Sequence, residues 1–444
     1  MSFDARLTST IALIRGSELL GATALALLVK VGVAVVVLGF NLLIARLLGA
    51  NDAGLFFLAL SILTIAVVIG RGGFDNPLIR FTAADASRGQ FATVSASARF
   101  AVVASAGLSL GVTVVLWVSA PGMANGLFDK PELVEPLRYL SASVLPMSLM
   151  LLFSQLLKGL SRIVEHLVIF SGLLPGIAGV MAYVFAPSHG LAGVCISWSA
   201  AAFLSCFIAA VLWFRQTRGW TGVPQSGAFQ RLLASARPEF WTSLAIVLIQ
   251  WSSPLMLGVW GTNAEVAMLT LASRVAVVTN LVLVAVSSVV TPRFARLHIE
   301  GDIGALQSTA RNSAMLTAIV AFPIAGILIV APGWVMSIFG TEFRDGSTAL
   351  AMIAIGQFIN VATGSVGALL VMTGHETIVR NLTLFSAALV LFLNTLMIPI
   401  FGINGAAAAM MIVLAGQNLA ATWIVRKRLG IWSIPGFELI RHKN

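Results

Sequence analysis

The chain has 444 residues, of which 58% are apolar and only 10% charged, with a mean hydropathy of +0.97. Soluble domains carry about 25% charged residues, because charge keeps their surface in water. A soluble globular domain is therefore excluded. The composition also excludes a disordered chain, and 2 Cys exclude a disulfide scaffold or a cysteine-based metal module. A polytopic membrane protein remains.

Twelve apolar stretches follow one another along the chain. Each has roughly the 20 residues that a helix needs to cross the hydrocarbon core, where only helices and closed barrels satisfy every backbone group. The predicted spans are residues 20–45, 54–72, 96–119, 138–158, 166–186, 190–214, 240–261, 265–289, 312–334, 346–372, 380–400 and 403–425. The predicted fold class is an all-α polytopic membrane protein with twelve transmembrane helices.

The basic residues are unevenly distributed between the two sides of these spans. If the N-terminus is cytoplasmic, 21 of the 27 Lys and Arg residues lie in cytoplasmic segments. Four lie on the opposite side: Arg46, Lys130, Arg138 and Arg344. The positive-inside rule then predicts that both termini are cytoplasmic. The formal charge of +10 is spread over short segments rather than one patch, so no nucleic-acid partner is expected.

The two halves of the chain repeat each other. Gly49 and Asn51 recur as Gly261 and Asn263, and Gly190 and Gly193 recur as Gly402 and Gly405, all 212 residues later. Because this offset covers six spans, the halves enter the membrane in the same direction, as parallel six-helix repeats with a substrate path between them. The predicted units are an N-terminal lobe (1–214), a cytoplasmic linker (215–239), a C-terminal lobe (240–425) and a cytoplasmic basic tail (426–444).

Residues 42–83 resemble the opening two helices of the Wzx-type polysaccharide flippases. These belong to the superfamily of multidrug, oligosaccharidyl-lipid and polysaccharide exporters. The likeness rests on residues 45–49, 54–56 and 73–80, on Gly374, and on the paired glycine turns Gly190/Gly193 and Gly402/Gly405. It extends over almost the whole chain, from about residue 15 to 430.

The resemblance implies a transporter and not an enzyme. It would move an oligosaccharide on an isoprenoid pyrophosphate from the cytoplasmic to the outer leaflet of a bacterial inner membrane, for O-antigen or exopolysaccharide synthesis. The expected partners are this lipid-linked substrate, membrane lipids, and polysaccharide polymerase or assembly proteins. No cofactor is expected.

Two cations lie well inside predicted spans, away from the span ends, where a charge costs about 2.5 to 3.5 kcal/mol on insertion scales. Arg274 lies about ten residues into span eight, and Lys30 shares a polar stripe of span one with Asn41. One interpretation is a cationic lumen that pairs with the pyrophosphate. The alternative is that Lys30 snorkels to the cytoplasm and Arg274 bonds helix carbonyls.

Further candidates lie nearer the membrane surface or carry amides. Arg71 and Arg80 are placed where a headgroup would first arrive, but they also fit the ordinary positive-inside signal. A possible polar lumen consists of Asn41, Gln250, Gln357, Asn360 and Asn394. The four amides at 250, 357, 360 and 394 fit either hydrogen bonds to sugar hydroxyls or interhelical contacts.

The positions of the acidic residues and of the His residues bear on the alternative functions. All 17 Asp and Glu residues lie at or beyond predicted span ends, which argues against a cation-coupled multidrug or toxin exporter. That exporter, or another lipid exporter, remains the first alternative. A membrane glycan polymerase or ligase is less favoured, since the longest outer segment is short. The five His residues lack metal-ligand spacing, so no metal or catalytic site is predicted.

Overall fold

The computed structural model describes residues 3–433, with side chains described at Leu25 and from Leu28 onward. Within that part of the chain the structure is helical, without a strand. Residues 434–444 of the predicted basic tail lie outside the described residues. The helices are α1 (Phe3–Arg71), α2 (Asp75–Ser87), α3 (Phe91–Gly122), α4 (Val134–Ser141), α5 (Val144–Gly159), α6 (Ile163–Leu167), α7 (Leu174–Gln216), α8 (Ala228–Trp260), α9 (Asn263–Ala276), α10 (Asn280–Ile299), α11 (Ile303–Val330), α12 (Pro332–Ser337), α13 (Ser347–Ala362), α14 (Val366–Met372) and α15 (Glu376–Leu429).

The described residues contain eight helices long and apolar enough to cross a membrane. A ninth is counted if α4, with the short helix before it, and α5 form one span with a bend of 45°. The chain is therefore a multi-pass membrane protein. The sequence predicts twelve spans, and the lower number arises because several predicted neighbours are joined end to end in one continuous helix.

Glycine breaks divide three of these long helices. Gly49 interrupts α1, Gly190 interrupts α7 and Gly402 interrupts α15 with non-helical backbone angles. The angles at Gly190 (φ 53°, ψ −133°) and Gly402 (φ 54°, ψ −132°) are almost the same. These two glycines are 212 residues apart, so the same local geometry recurs at the interval that the sequence repeat indicates.

Helices extend into the predicted linker, residues 215–239, from both ends. The helix α7 continues to Gln216 and α8 begins at Ala228, after Gly227 in the left-handed conformation. The non-helical connection is therefore residues 217–227, and residues 228–239 form the first turns of α8.

A buried apolar cluster joins the two halves of the chain. It includes Phe56 and Leu58 from the first half and Leu257 and Leu269 from the second, and all four side chains are fully buried. Since apolar burial gives no driving force between helices in lipid, close packing must hold this junction together. At Gly54, an added Cβ would lie 1.8 Å from the carbonyl oxygen of Asn263, so only glycine permits this approach.

Hydrogen bonds reinforce the junction at the end of the molecule that carries Lys130. The ammonium of Lys130 donates to the carbonyl oxygens of Gly258 and Gly261, each at 2.8 Å. These carbonyls end α8, where a helix leaves acceptors unpaired and favours a positive charge. Partial burial lowers the pKa of Lys130, and the nearby charges of Glu265 and Glu132 oppose that shift.

Two more contacts cross between the halves at the same end. The guanidinium of Arg46 donates to the carbonyl oxygen of Ile338 at 2.8 and 3.2 Å. The carboxylate of Glu342 accepts from the backbone N–H of Ala50 at 2.8 Å. Ala50 begins the helical segment after the Gly49 break, so the acidic group lies at a helix N-terminus. We call the contacts made by Lys130, Arg46 and Glu342 the junction latch.

The backbone break at Gly190 should make any side chain at this position destabilising. Gly190→Ala should lower stability by about 1 to 3 kcal/mol, because its backbone angles suit glycine almost alone. An added Cβ would meet no atom within 4 Å, so the loss would come from backbone strain and not from a clash. Thermal unfolding in detergent measures it. The control Gly107→Ala, also open but inside the regular helix α3, should unfold at the same temperature or higher; equal behaviour of both variants would contradict this account.

Candidate functional site

A cavity with a volume of about 500 Å³ lies within the second half of the chain. Its walls come from α8, α9, α13 and α15 and from the start of α10, between residues 246 and 417. This volume is within the usual range for small-molecule sites. The sequence predicts a path between the halves. The cavity differs from it, because all of its lining residues come from one half, while the halves pack together at the apolar cluster.

Arg274 lines the cavity and is positioned by the end of α9. It lies in the last turn of that helix, which a 3-10 turn, Val277–Thr279, separates from α10. Helix C-termini favour positive charge, and 3-10 turns within long helices often mark hinges. The sequence gives no signal for this interruption, since residues 275–279 are apolar or β-branched like the rest of the span.

The guanidinium of Arg274 has an aromatic neighbour and no anionic one. Its central carbon is 4.4 Å from the ring centroid of Trp251. Such a contact contributes about 2 kcal/mol or more when desolvated. In the described part of the chain, Arg274 forms no ion pair, and no hydrogen bond from its guanidinium is found. The five N–H donors are left to water or a ligand inside the cavity.

Amide side chains share the cavity with Arg274. Three of the amides proposed for a polar lumen, Gln250, Gln357 and Asn360, line it, and Asn280 and Gln417 join them. The amide nitrogen of Asn360 is 3.4 Å from the oxygens of both Asn280 and Gln357, which are long contacts. Much hydrogen-bonding capacity therefore remains free for a ligand.

Sequence reasoning missed Asn280 and Gln417, although a signal was present. Both are amides inside predicted spans, at 265–289 and 403–425. Thr270 lies one helical turn before Arg274, on the same helix face. It lines the cavity, and its buried hydroxyl has no hydrogen-bond partner.

Two other amides proposed for a polar lumen lie outside the cavity. Asn394 is fully buried, and its side chain bonds Ser253 at 3.0 and 3.1 Å and Ser252 at 3.4 Å. These are contacts between α8 and α15. Asn41 donates to the carbonyl oxygen of Val37 one turn earlier, at 2.6 Å. The structure thus places both in packing positions.

The remaining cations are placed elsewhere. Arg71 pairs with Asp75, and Arg80 donates to the hydroxyl of Ser235 at 3.0 Å. Arg80 thereby joins α2 to α8 at the opposite end from the junction latch, where Asn76 also donates to Glu239 at 2.6 Å. Lys30 lies on α1, in electrostatic range of Lys158. Of the four predicted cations, the cavity contains Arg274 alone.

The cavity therefore has one chemical character. It presents a cation, several neutral donors and acceptors, and apolar walls, with no carboxylate among its lining residues. Such a site suits a ligand with an anionic group and many hydroxyls. No cluster of His, Cys, Asp and Glu able to hold a metal occurs among the described residues.

Comparison with solved structures shows the fold. The lipid II flippase MurJ, in an inward closed conformation, superposes with a TM-score of 0.72 at 14% identity, covering 91% of this chain and 87% of MurJ. An inward-facing multidrug resistance transporter of the MATE family gives 0.70 at 14% identity, covering 91% and 98%. A transporter from Pyrococcus furiosus gives 0.62 at 14% identity, covering 91% and 94%. The chain thus shares its fold with these transporters.

Sequence comparison gives the family. A probable low-salt glycan biosynthesis flippase of Haloferax volcanii, Agl15, is 28% identical over 171 residues, which cover 38% of this chain and 36% of that relative. The chain thus matches little more than a third of the relative's length. Residues 19–298 match the family described as polysaccharide biosynthesis protein. That match covers more than half of the chain, and it confirms the resemblance seen in the sequence: the protein belongs to the polysaccharide biosynthesis protein family.

Proposed function

We propose that this protein moves a lipid-linked oligosaccharide, carried on an isoprenoid pyrophosphate, from the cytoplasmic to the outer leaflet of a bacterial inner membrane. The product would serve the synthesis of a cell-surface polysaccharide such as O-antigen or exopolysaccharide. The observation that carries the proposal is the Arg274 guanidinium, which faces a cavity without a protein anion. A pyrophosphate supplies the missing charge, and the surrounding amides can bond sugar hydroxyls.

The same cavity disfavours a drug-cation exporter. A cationic drug would meet the charge of Arg274 and find no carboxylate on the lining to offset it. A carboxylate inside the membrane is also the usual exchange group for a proton or sodium ion. A polymerase or ligase would need acid, base or nucleophile groups near the sugar, and the lining supplies none.

Twelve spans in two parallel halves form part of this proposal. The eight candidate spans become nine when the bent pair is counted as one span. They become twelve when the three broken helices are divided at Gly49, Gly190 and Gly402. With an even number, both termini lie on the same side, which the positive-inside rule makes cytoplasmic.

The junction latch supports the pseudo-two-fold relation between the halves. Lys130 reaches Gly261, while Glu342, which is 212 residues after Lys130, reaches back to Ala50. The repeat-related pair Asn51 and Asn263 contact each other, with amide nitrogen and oxygen 3.2 Å apart. Reciprocal contacts of this kind are typical of an interface around a two-fold axis, where equivalent residues meet on the axis.

Alternating access then requires the junction latch to open. By the charge distribution, the latch lies at the outer end of the protein, so it closes the cavity from the outside in this conformation. Rocking of one half against the other would break the contacts of Lys130, Arg46 and Glu342 and expose the cavity to the outer leaflet. The contacts made by Arg80 and Asn76 at the other end would govern the cytoplasmic opening.

Arg274→Ala should abolish transport of lipid-linked oligosaccharide while leaving the amount of protein in the membrane unchanged. Arg274→Lys should retain part of the activity, because lysine keeps the charge but loses the planar pair of donors. Transport into proteoliposomes, with protein quantified in the same vesicles, measures both. The control Arg380→Ala removes an exposed charge outside the cavity and should transport normally. Normal transport by Arg274→Ala would refute the proposed role.

The combined variant Lys130→Ala and Glu342→Gln should shift the protein towards an outward-open state. Charge-assisted hydrogen bonds contribute about 1.5 to 3 kcal/mol each, so the open population should rise roughly tenfold or more. The reporter is Gln250→Cys, at the cavity wall, in a chain whose Cys195 and Cys206 are replaced by alanine. Its labelling rate with a membrane-impermeant maleimide added from outside measures the opening.

The matched control for the latch is Arg138→Ala. Arg138 is also an outer cation, but it lies over the ring of Trp117 at 5.0 Å, within its own half of the chain. Labelling should stay slow in this variant. If labelling is equally slow in the combined latch variant, the latch does not hold the outer end closed.

A further inference from the structure

An exposed apolar groove follows the contact between α1 and residues 168–184. It consists of two adjoining hollows of about 420 and 450 Å³, which share Val36 and Gly176. On α1 the lining residues recur three or four apart, so they form one face of the helix. That face is Val29, Gly32, Val33, Val36, Gly39 and Leu43.

Glycines on both walls give the groove its depth. An added Cβ at Gly32 or Gly39 would meet no atom within 4 Å, so both glycines border open space. At Gly172 an added Cβ would lie 2.9 Å from Val33, so the floor of the groove is a close helix contact. A π-helical turn, Val168–Leu173, forms part of the second wall, and such turns are frequent at functional sites.

The dimensions of the groove suit one hydrocarbon chain. The positions of Val29 and Leu43 are separated by fourteen residues, or about 21 Å along a helix. That is roughly two thirds of the thickness of a hydrocarbon core. The two hollows lie in line along one helix contact, so the groove takes a single chain rather than the two parallel chains of a phospholipid.

Basic side chains gather at one end of the groove. Lys30 follows the first lining residue of α1, and His166 precedes the π-helical turn of the second wall. The charge of Lys158 acts on Lys30, and the charges of both lysines act on His166. Among the described residues, neither Lys30 nor Lys158 has an acidic partner in an ion pair. A phosphate group would supply the anion for this pair of lysines.

We propose that this groove binds the isoprenoid chain of a lipid carrier, with its phosphate groups held between Lys30 and Lys158. The assignment rests on the proposed function and adds a second site to it, separate from the cavity around Arg274. The basic end lies on the predicted cytoplasmic side. A carrier lipid would therefore dock there by its tail and phosphate before its sugar enters the cavity.

The test uses the purified full chain in nanodiscs of neutral phosphatidylcholine. The probe is farnesyl pyrophosphate with a photoreactive group at the end of its tail, and crosslinked peptides are located by mass spectrometry. We expect crosslinks in residues 29–43 and 168–184. At Gly39 an added Cβ meets no atom within 4 Å, so the side chain of Gly39→Leu can extend into the groove. Gly39→Leu should reduce the crosslinks at least tenfold, as should Lys30→Ala combined with Lys158→Ala.

Matched controls separate the groove from other sites. Gly111→Leu places the same side chain at another open, exposed glycine, in α3, and should leave the crosslinks unchanged. Arg274→Ala should also leave them unchanged, since Arg274 lines the other cavity. The absence of crosslinks from residues 29–43 and 168–184, or their persistence there in Gly39→Leu, would overturn the assignment. Equal displacement of the probe by phosphatidylglycerol would also overturn it, because a two-chain lipid would then be the occupant.

The outcomes for the groove and for transport are distinguishable. A protein that crosslinks the probe in the groove but moves no lipid-linked oligosaccharide in proteoliposomes would refute the proposed function and leave the binding site standing. A protein that transports normally with the groove filled by Gly39→Leu would refute the groove as a docking site and leave the proposed function standing.

Discussion

A guanidinium inside a membrane protein, without a protein anion beside it, is the constraint on which this account depends. Removing an unpaired charge from water costs several kcal/mol unless water, an aromatic face or a ligand replaces the lost hydration. At Arg274 the ring face of Trp251 replaces part of the lost hydration, and the cavity has room for water or a ligand to replace the remainder. A site with this arrangement is prepared to bind an anion and to repel a cation.

In the proposed mechanism, movement at the junction between the halves opens and closes this site. Helix ends leave backbone groups unpaired, and Lys130 and Glu342 use those groups to tie one half to the other. Three of the four basic residues expected on the outer side, Arg46, Lys130 and Arg138, have defined partners. Two of them reach carbonyls across the junction. These exceptions to the positive-inside pattern therefore fit a structural role better than a topological one.

Much of the fold follows from the sequence, because hydropathy and charge act on whole segments. The all-helical membrane class and the placement of Gly190 and Gly402 follow directly from spans and repeats. The continuity of helices such as α1 through its glycine break does not, since hydropathy shows where a segment is apolar and not how neighbours join. The short connection at 217–227 is likewise set by where helix ends find caps and contacts.

The candidate site was only partly predictable for a similar reason. An arginine at mid-span needs a cavity or a partner wherever it lies, so Arg274 could be selected from sequence alone. An amide side chain can find hydrogen-bond partners in several ways. The sequence therefore does not distinguish Gln250, which lines the cavity, from Asn394, which bonds two serines. The position of Lys30 at a separate groove depends on which face of α1 packs against residues 168–184, and only coordinates provide that.

The most direct test of the central claim is equilibrium binding to the purified protein. Isothermal titration would compare a short-chain isoprenyl pyrophosphate disaccharide with the same disaccharide on an uncharged isoprenyl ether, for the parent chain and for Arg274→Ala. The account predicts that the parent chain binds the pyrophosphate form much more tightly than the ether, and that Arg274→Ala removes most of this difference. Equal affinity of the parent chain for both compounds, or an undiminished preference in Arg274→Ala, would contradict it.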